Sequence, residues 1–369
     1  AAALRYQKGQ EAVVGVQRCH PTIYRIGSVA AIHTRGRTEE APYDEVELSP
    51  GRPRPVYGRL RQTLDGFSGA ELKRRRALSE TAFRTEAITF SVHGAAARSD
   101  RLLPFDIVPR ILLPAEWARI ERGLIQRTTA LNLFLADVYG PQRILAEARI
   151  PPEVVLSSPL FRRDLVGFPV PKGIHCQLAG IDLIRGPDGE FMVLEDNLRT
   201  PSGISYVLNN RRVMRRVLPE LFEGYEVRPV EGFSDALLAA LRAIAPPAAG
   251  DRPTIALLTP GSLNSAYFEH IYLAKQMGVD LVEGSDLTVR EEAVYMRTTE
   301  GLRKVDVIYR RIDDDFLDPI QGRLDSLVGV PGLVNAYRAG NVAITNGLGN
   351  GVADDKAVYA LVPEIVRYY

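Results

Sequence analysis

The sequence predicts an α/β fold in which a mixed α+β lobe with a long antiparallel hairpin is followed by a small βαβ domain. Three observations predict it. Residues 174–196 hold two strand-like runs around Gly186-Pro187-Asp188-Gly189, a turn whose Pro and Gly supply the dihedrals it needs. Residues 254–282 read as a buried strand, a helix and a second strand, the pattern of a parallel pair. Residues 245–253 between them are Pro/Ala-rich and read as a linker. A chain of 369 residues that is 46% hydrophobic can bury a sizeable core in two or three domains.

Composition excludes several function classes. With 46 basic and 45 acidic side chains the net charge is +1, so no whole-protein field favours nucleic acid or an anionic membrane as partner. The two cysteines, Cys19 and Cys176, form no CxxC pair, which points to a reducing, cytoplasmic setting without a disulfide framework. No apolar run approaches the roughly 20 residues that span a bilayer. Arg5 and Lys8 are not followed by the apolar stretch of a secretory signal.

The elements follow in order. Residues 1–42 hold a short strand at 12–16 and receive no functional assignment. Ser68-Gly69-Ala70-Glu71 reads as a capping box before a charged helix ending near Thr81, with Lys73, Arg74, Arg75 and Arg76 on a solvated face. Residues 87–93 are β-branched and aromatic, hence a strand, with His93 hydrogen-bonded locally at its end. Pro114–Val138 is the clearest helix, because Trp117, Ile120, Leu124, Leu131, Leu135 and Val138 recur at helical spacing, and Tyr139-Gly140-Pro141 ends it. A helix over 206–218 stops at Pro219. Beyond the linker come strands at 254–258, 279–282, 305–310 and 342–345, with a helix over 265–277 and another starting near Asp354.

The hairpin carries the chemistry. Glu195 and Asn197 are two apart on a strand and point to one face. A loop confined to residues 186–189 sets Asp182 opposite Val193 and on that same face, whereas a loop one residue shorter turns it away. An Asp, a Glu and an Asn together offer the hard oxygen ligands magnesium prefers. Crowded carboxylates also need a cation or a basic side chain, with Arg185 and Arg199 nearby in sequence. The plain alternative is the solvent-facing polar side of a hairpin. Arg199, Thr200 and Ser202 lie in the polar loop that leaves the second strand, either an anion-holding loop or an ordinary Pro-Ser-Gly turn.

At this point the sequence resembles a known family. The run HCQLAGIDLIRGPDGEFMVLEDNLRTPSGISYVLNN (residues 175–210), LNLFLADVY (131–139), YRRIDDDFLDP (309–319) and GLGNGVADDK (347–356) are similar to the circularly permuted ATP-grasp type 2 proteins, relatives of glutathionylspermidine synthase. The resemblance covers residues 43–369. It implies an ATP-grasp-like lobe at 43–244, a pre-ATP-grasp-like βαβ domain at 251–345 and the start of a nucleotide lobe at 346–369. The implied activity is an ATP- and Mg2+-dependent carboxylate–amine (or thiol) ligation through an acyl phosphate, on a small amino-acid-like or peptide-like substrate. The implied ligands of the metal are Asp182, Glu195 and Asn197, and Lys356 is the implied first nucleotide-contacting lysine. Arg199, Thr200 and Ser202 fall where relatives approach substrate. Arg185 or Arg199 would then stabilise charge on the transferred phosphoryl group. The resemblance also implies a second lysine and a glycine-rich loop beyond Tyr369, so a catalytically incomplete binding or scaffold homologue is the rival expectation.

Other candidates are weaker. Asn346-Gly347-Leu348-Gly349-Asn350-Gly351 follows a strand and could cradle phosphate with backbone N–H groups of Gly347 and Gly349, yet it is not G-x-G-x-x-G, so a dinucleotide-dependent oxidoreductase is a distant rival. Arg310 and Arg311 are expected on the substrate side or at a domain contact, with Asp314 pairing one of them. Glu269 and His270 read as a helix-surface pair. His175 and Cys176 are adjacent on a strand and point apart, which excludes a Cys–His nucleophile pair.

Overall fold

A computed structural model describes residues 43–49, 51–85, 89–90, 101–102 and 105–369. The strand expected at 12–16 and His93 lie outside the described residues. The strand expected over 87–93 is described only at Thr89–Phe90, which pairs antiparallel with Arg101–Leu102.

The charged helix spans Gly69–Thr85, four residues further than its sequence suggested, with Ser68 Oγ accepting the Glu71 N–H at 3.2 Å. Its basic run is not uniformly solvated. Arg75 donates to Glu220 at 2.7 Å and to the Val217 carbonyl at 2.8 Å, docking this helix on its neighbour.

Helix α1, Pro114–Val138, has the bounds its apolar spacing predicts. Ile120, Leu124, Leu131, Leu135 and Val138 are buried on one side of it. Burying a leucine such as Leu131 stabilises by about 2 kcal/mol. The hairpin strands β1 (Gly180–Arg185) and β2 (Phe191–Asn197) form a two-stranded sheet, and α2 (Ile204–Val217) follows.

The second half is built on a parallel sheet. Strand β3 (Ile255–Leu258) leads through α3 (Tyr267–Met277) to β4 (Asp280–Val282), and β5 (Val307–Arg310) and β6 (Ala343–Thr345) complete it. Its spatial order is β6-β5-β3-β4, all parallel. A three-stranded antiparallel meander over 287–305 intervenes, which the sequence reading did not separate from the strand at 305–310. Three short helices close the chain: α4 (Gly351–Asp354), α5 (Lys356–Tyr359) and α6 (Val362–Tyr368).

Alternation along β3 divides the core. Ile255 and Leu257 pack with Leu273 and Met277 of α3 and with Leu208 of α2. Ala256 and Leu258 face the larger cluster that holds α1, the inner side of the hairpin and α6. A parallel sheet buried on both faces takes strands that are apolar throughout, and all four residues of β3 are buried. The fold is mixed α/β, as expected. Among the described residues no helix is long and apolar enough to cross a membrane.

Candidate functional site

The hairpin positions its acids by a route the sequence did not reveal. Its turn is one residue shorter than expected: the Gly186 N–H donates to the Glu190 carbonyl at 2.8 Å, so these two residues face each other, Arg185 pairs with Phe191, and only residues 187–189 form the loop. Gly189 takes φ +84 within it, a conformation glycine adopts without strain. Continued regularly, that register would place Asp182 opposite Leu194 and therefore on the wrong face. A β-bulge intervenes: Leu183 pairs with Val193, but Asp182 pairs with Glu195. The extra residue, Leu194, restores the alignment by giving one strand two residues against one. The expected pairing of Asp182 with Val193 is thus replaced by a direct pairing with Glu195.

The two carboxyl groups meet. Burial, and then the hydrogen bond to Glu195, push the Asp182 carboxyl above its ordinary range. Glu195 is held below its own by Lys356, whose ammonium ion-pairs with Oε2. Asn197 Nδ2 approaches Glu195 Oε1 at 3.5 Å. Lys356 comes from α5, whose first turn is capped by Asp355 accepting the Ala357 N–H at 2.8 Å. The same helix is tied to β2 by the Tyr359 hydroxyl, which donates to the Val193 carbonyl at 2.6 Å. Ile184 and Met192, paired across the hairpin, share the face of Asp182, and with the bulged Leu194 they are the exposed apolar residues of the ribbon.

Asp196, between the two acids, points the other way. It is buried and receives a bidentate pair from Arg127 of α1 at 2.7 and 2.6 Å. The sequence reading missed this clamp, although strand alternation already assigns Asp196 to the inner face.

The remaining predicted residues divide. Arg199 donates to Asp354 at 2.9 Å and lies 3.5 Å from Asp313. Burial pushes Asp354 up to about 6 while Arg199 opposes the shift. Thr200 is half-buried, and Ser202 is exposed and accepts from Arg311. Arg185 is not brought to the acids. Its guanidinium is buried against Glu45 at 3.1 Å, Glu116 at 2.8 Å and the Gly189 carbonyl at 2.8 Å, over the Phe191 ring.

Arg310, Gly347 and Gly349 are likewise turned inward. Arg310 is fully buried and donates to the carbonyls of Asn346 (2.9 Å), Ile312 (2.9 Å) and Gly347 (3.1 Å) while pairing with Asp314 at 2.5 Å. The Gly347 N–H goes to the His175 carbonyl at 2.9 Å and that of Gly349 to Asp314 at 2.6 Å. Backbone donors spent internally cannot cradle a phosphate, so the expectation of a phosphate loop here, and the dinucleotide rival with it, is corrected. Arg311 is also buried, donating to Ser202, to the Pro201 carbonyl at 2.5 Å and to Glu269 at 3.2 Å. Glu269 and His270 are buried rather than a surface pair. Glu269 accepts from the N–H groups of Gly203 (2.8 Å) and Ser205 (3.0 Å), capping the start of α2.

Among the described residues no three His, Cys, Asp or Glu side chains converge on a point. The hairpin cluster is instead an open set of two carboxylates and an amide. Such a set suits a magnesium ion, which keeps positions free for water and phosphate oxygens.

Residues 109–369 match the family described as circularly permuted ATP-grasp type 2. The chain is 48% identical over 327 residues to an uncharacterized protein of Synechocystis sp., covering 89% of this chain and 68% of that one. It is 52% identical over 327 residues to an uncharacterized protein of Mycobacterium tuberculosis, covering 89% of this chain and 58% of the other. A putative glutamate–cysteine ligase of Frankia alni is 44% identical over 333 residues, 90% of this chain and 38% of that protein. The chain therefore spans from over a third to about two thirds of the length of these relatives. Among solved structures, a glutathione synthetase-like effector from Globodera pallida superposes with TM-score 0.51 at 11% identity, over 82% of this chain and 68% of that one, a likeness of fold.

Proposed function

The chain belongs to the circularly permuted ATP-grasp type 2 family, and from that premise we propose that it takes part in ATP- and Mg2+-dependent ligation of a carboxylate to an amine or thiol. The observation that carries this reading is the direct pairing of Asp182 with Glu195 on one face of the hairpin, with Asn197 beside them and Lys356 on Glu195. Asp182, Glu195 and Asn197 would hold the cation, which when bound neutralises phosphate charge. Lys356 contributes a mobile positive charge at the rim, and phosphoryl transfer depends more on such neutralisation than on covalent help. Ile184, Met192 and Leu194 extend the same face as an apolar surface against which a nucleotide base can lie.

Sheet topology supports an acceptor side at the parallel sheet. Strands β4 and β5 lie on opposite sides of β3, so the connections diverge at the carboxyl ends of β3 and β5. Open parallel sheets bind ligands in the crevice at such a switch point. Thr259 to Gly261 follow β3 and Arg311 follows β5, and Arg311 holds Ser202 there. Thr200 and Ser202 would contact the substrate, with Arg311 positioning the loop and Arg310 bracing the sheet. Arg199 faces the carboxylates of Asp354 and Asp313, so its charge is available only if those partners are exchanged. The names borne by the Frankia and Globodera proteins favour an amino-acid-like or peptide-like substrate.

Calorimetry with Mg2+ and ATP tests the reading. The protein should bind the nucleotide only with the metal present, and Glu195→Gln should weaken binding by at least about tenfold, the loss expected when a ligating group is removed. Equal binding by both proteins would sink the assignment. A second reading, a binding homologue without turnover, is favoured by the internal engagement of Arg310, Gly347 and Gly349. It predicts Mg2+-dependent ATP binding with no phosphate released on addition of any acceptor amine.

A further inference from the structure

The pairing of Asp182 and Glu195 sets two carboxyl groups against each other, and among the described residues the basic side chain bonded to them is Lys356. We propose that Lys356 is a built-in counter-ion that competes with the divalent cation for Glu195, so that the cation enters as the ammonium leaves. The proposal rests on the metal site assigned above.

The geometry separates a fixed anchor from a free arm. Asp355 caps α5, and the Tyr359 hydroxyl fastens that helix to the Val193 carbonyl at 2.6 Å, so the backbone of Lys356 is held beside β2. Its side chain is 69% exposed, and among the described residues the ammonium hydrogen-bonds to Glu195 alone; it passes 5.9 Å from the centroid of the Tyr359 ring. A flexible four-carbon stem on a fixed base can swing without moving the helix. The neighbouring arginines cannot replace it. Arg199 is engaged by Asp354, and Arg127 grips Asp196 on the opposite face.

An ammonium and a divalent cation cannot share Glu195 Oε2, because like charges in contact repel strongly where water is partly excluded. The ion pair therefore subtracts from the affinity of the cation. Exposed pairs of this kind alter an equilibrium about two- to fivefold. Once displaced, the ammonium remains at the rim of the same site, within reach of an anionic group brought in with the metal. Cation and phosphate binding then reinforce each other through one side chain, as linkage requires.

Titration with Mn2+ alone, followed by the loss of the free-ion electron paramagnetic resonance signal, tests this in four proteins. Lys356→Gln should bind the ion about two- to fivefold more tightly than the native protein, Lys356→Arg should bind it no more tightly, and Glu195→Gln should lose most of it. Acetic anhydride labelling read by peptide mass spectrometry adds a direct view, since saturating Mn2+ should raise the labelling of Lys356 in the native protein. Loss of the ion in Glu195→Gln with unchanged or weaker binding in Lys356→Gln overturns the counter-ion role and leaves the metal site standing. Labelling of Lys356 indifferent to bound Mn2+ overturns it too. Equal binding by the native protein and Glu195→Gln, or no binding by either, removes the metal site and this inference together.

Discussion

The imidazole of His175 is buried and lies nearly parallel to the Tyr139 ring, with centroids 6.1 Å apart. Burial alone pushes its pKa down to about 4. An unfolded histidine titrates near 6.5. Between these values the unfolded chain carries a proton that the folded one refuses, so stability is full above pH 6.5 and falls as pH drops toward 4. At pH 5 the loss from this one ring is roughly 2 kcal/mol. His270, driven to about 2 by burial and by Arg311, acts in the same direction. Urea denaturation at pH 7 and pH 5 should show His175→Phe losing less stability than the native protein by about that 2 kcal/mol. Neither ring was legible as buried from the sequence. His270 read as a helix-surface residue because it stands beside the carboxylate of Glu269, and only the packing of α3 against the start of α2 shows why that carboxylate is inside.

At the scale of elements, periodicity was a sufficient guide wherever packing repeats. The bounds of α1 follow from its apolar stripe, and the parallel strands from their unbroken apolar runs. The hairpin shows the limit. Its alternation was visible, but the turn length and the bulge at Leu194 depend on hydrogen bonds between residues that local composition does not specify. The glycine-rich loop after β6 misled for a related reason. Its composition suits an anion, yet Arg310 from the adjacent strand takes its carbonyls. Removing that guanidinium would leave three buried carbonyls without their donor and Asp314 without its cation. Arg310→Gln should therefore cost about 3 kcal/mol or more, measured as a lower urea midpoint with unchanged slope. A loss below about 1 kcal/mol would show that the loop holds itself.

At the scale of the whole molecule, one asparagine joins the two halves. Asn346 at the end of β6 accepts the N–H groups of Gln177 and Leu178, each at 2.9 Å, and donates to the carbonyls of Leu178 at 2.6 Å and Leu198 at 2.8 Å. The parallel sheet is thereby pinned to the segments that enter and leave the hairpin. Asn132 does similar work from α1 for His175 and Cys176. These clamps lay in view in the sequence as unremarkable asparagines, since their partners are far away along the chain. Asn346→Ala should lower stability by about 3 kcal/mol or more, because several buried backbone groups lose their partners at once. Hydrogen exchange at Gln177 and Leu178 should quicken in the variant, and unchanged protection there would argue that these two N–H groups do not depend on Asn346.

A ribbon of two strands has two open rims, and an open rim invites a strand from another molecule. On β2 the Tyr359 hydroxyl already sits on the carbonyl of Val193, so one rung of that rim is taken by the protein's own helix α5. The bond that steadies Lys356 beside the acids therefore also guards against self-association. Tyr359→Phe should leave the fold intact and raise light scattering on prolonged incubation at high concentration, while an unaltered scattering trace would mean the rim is shielded by bulk alone.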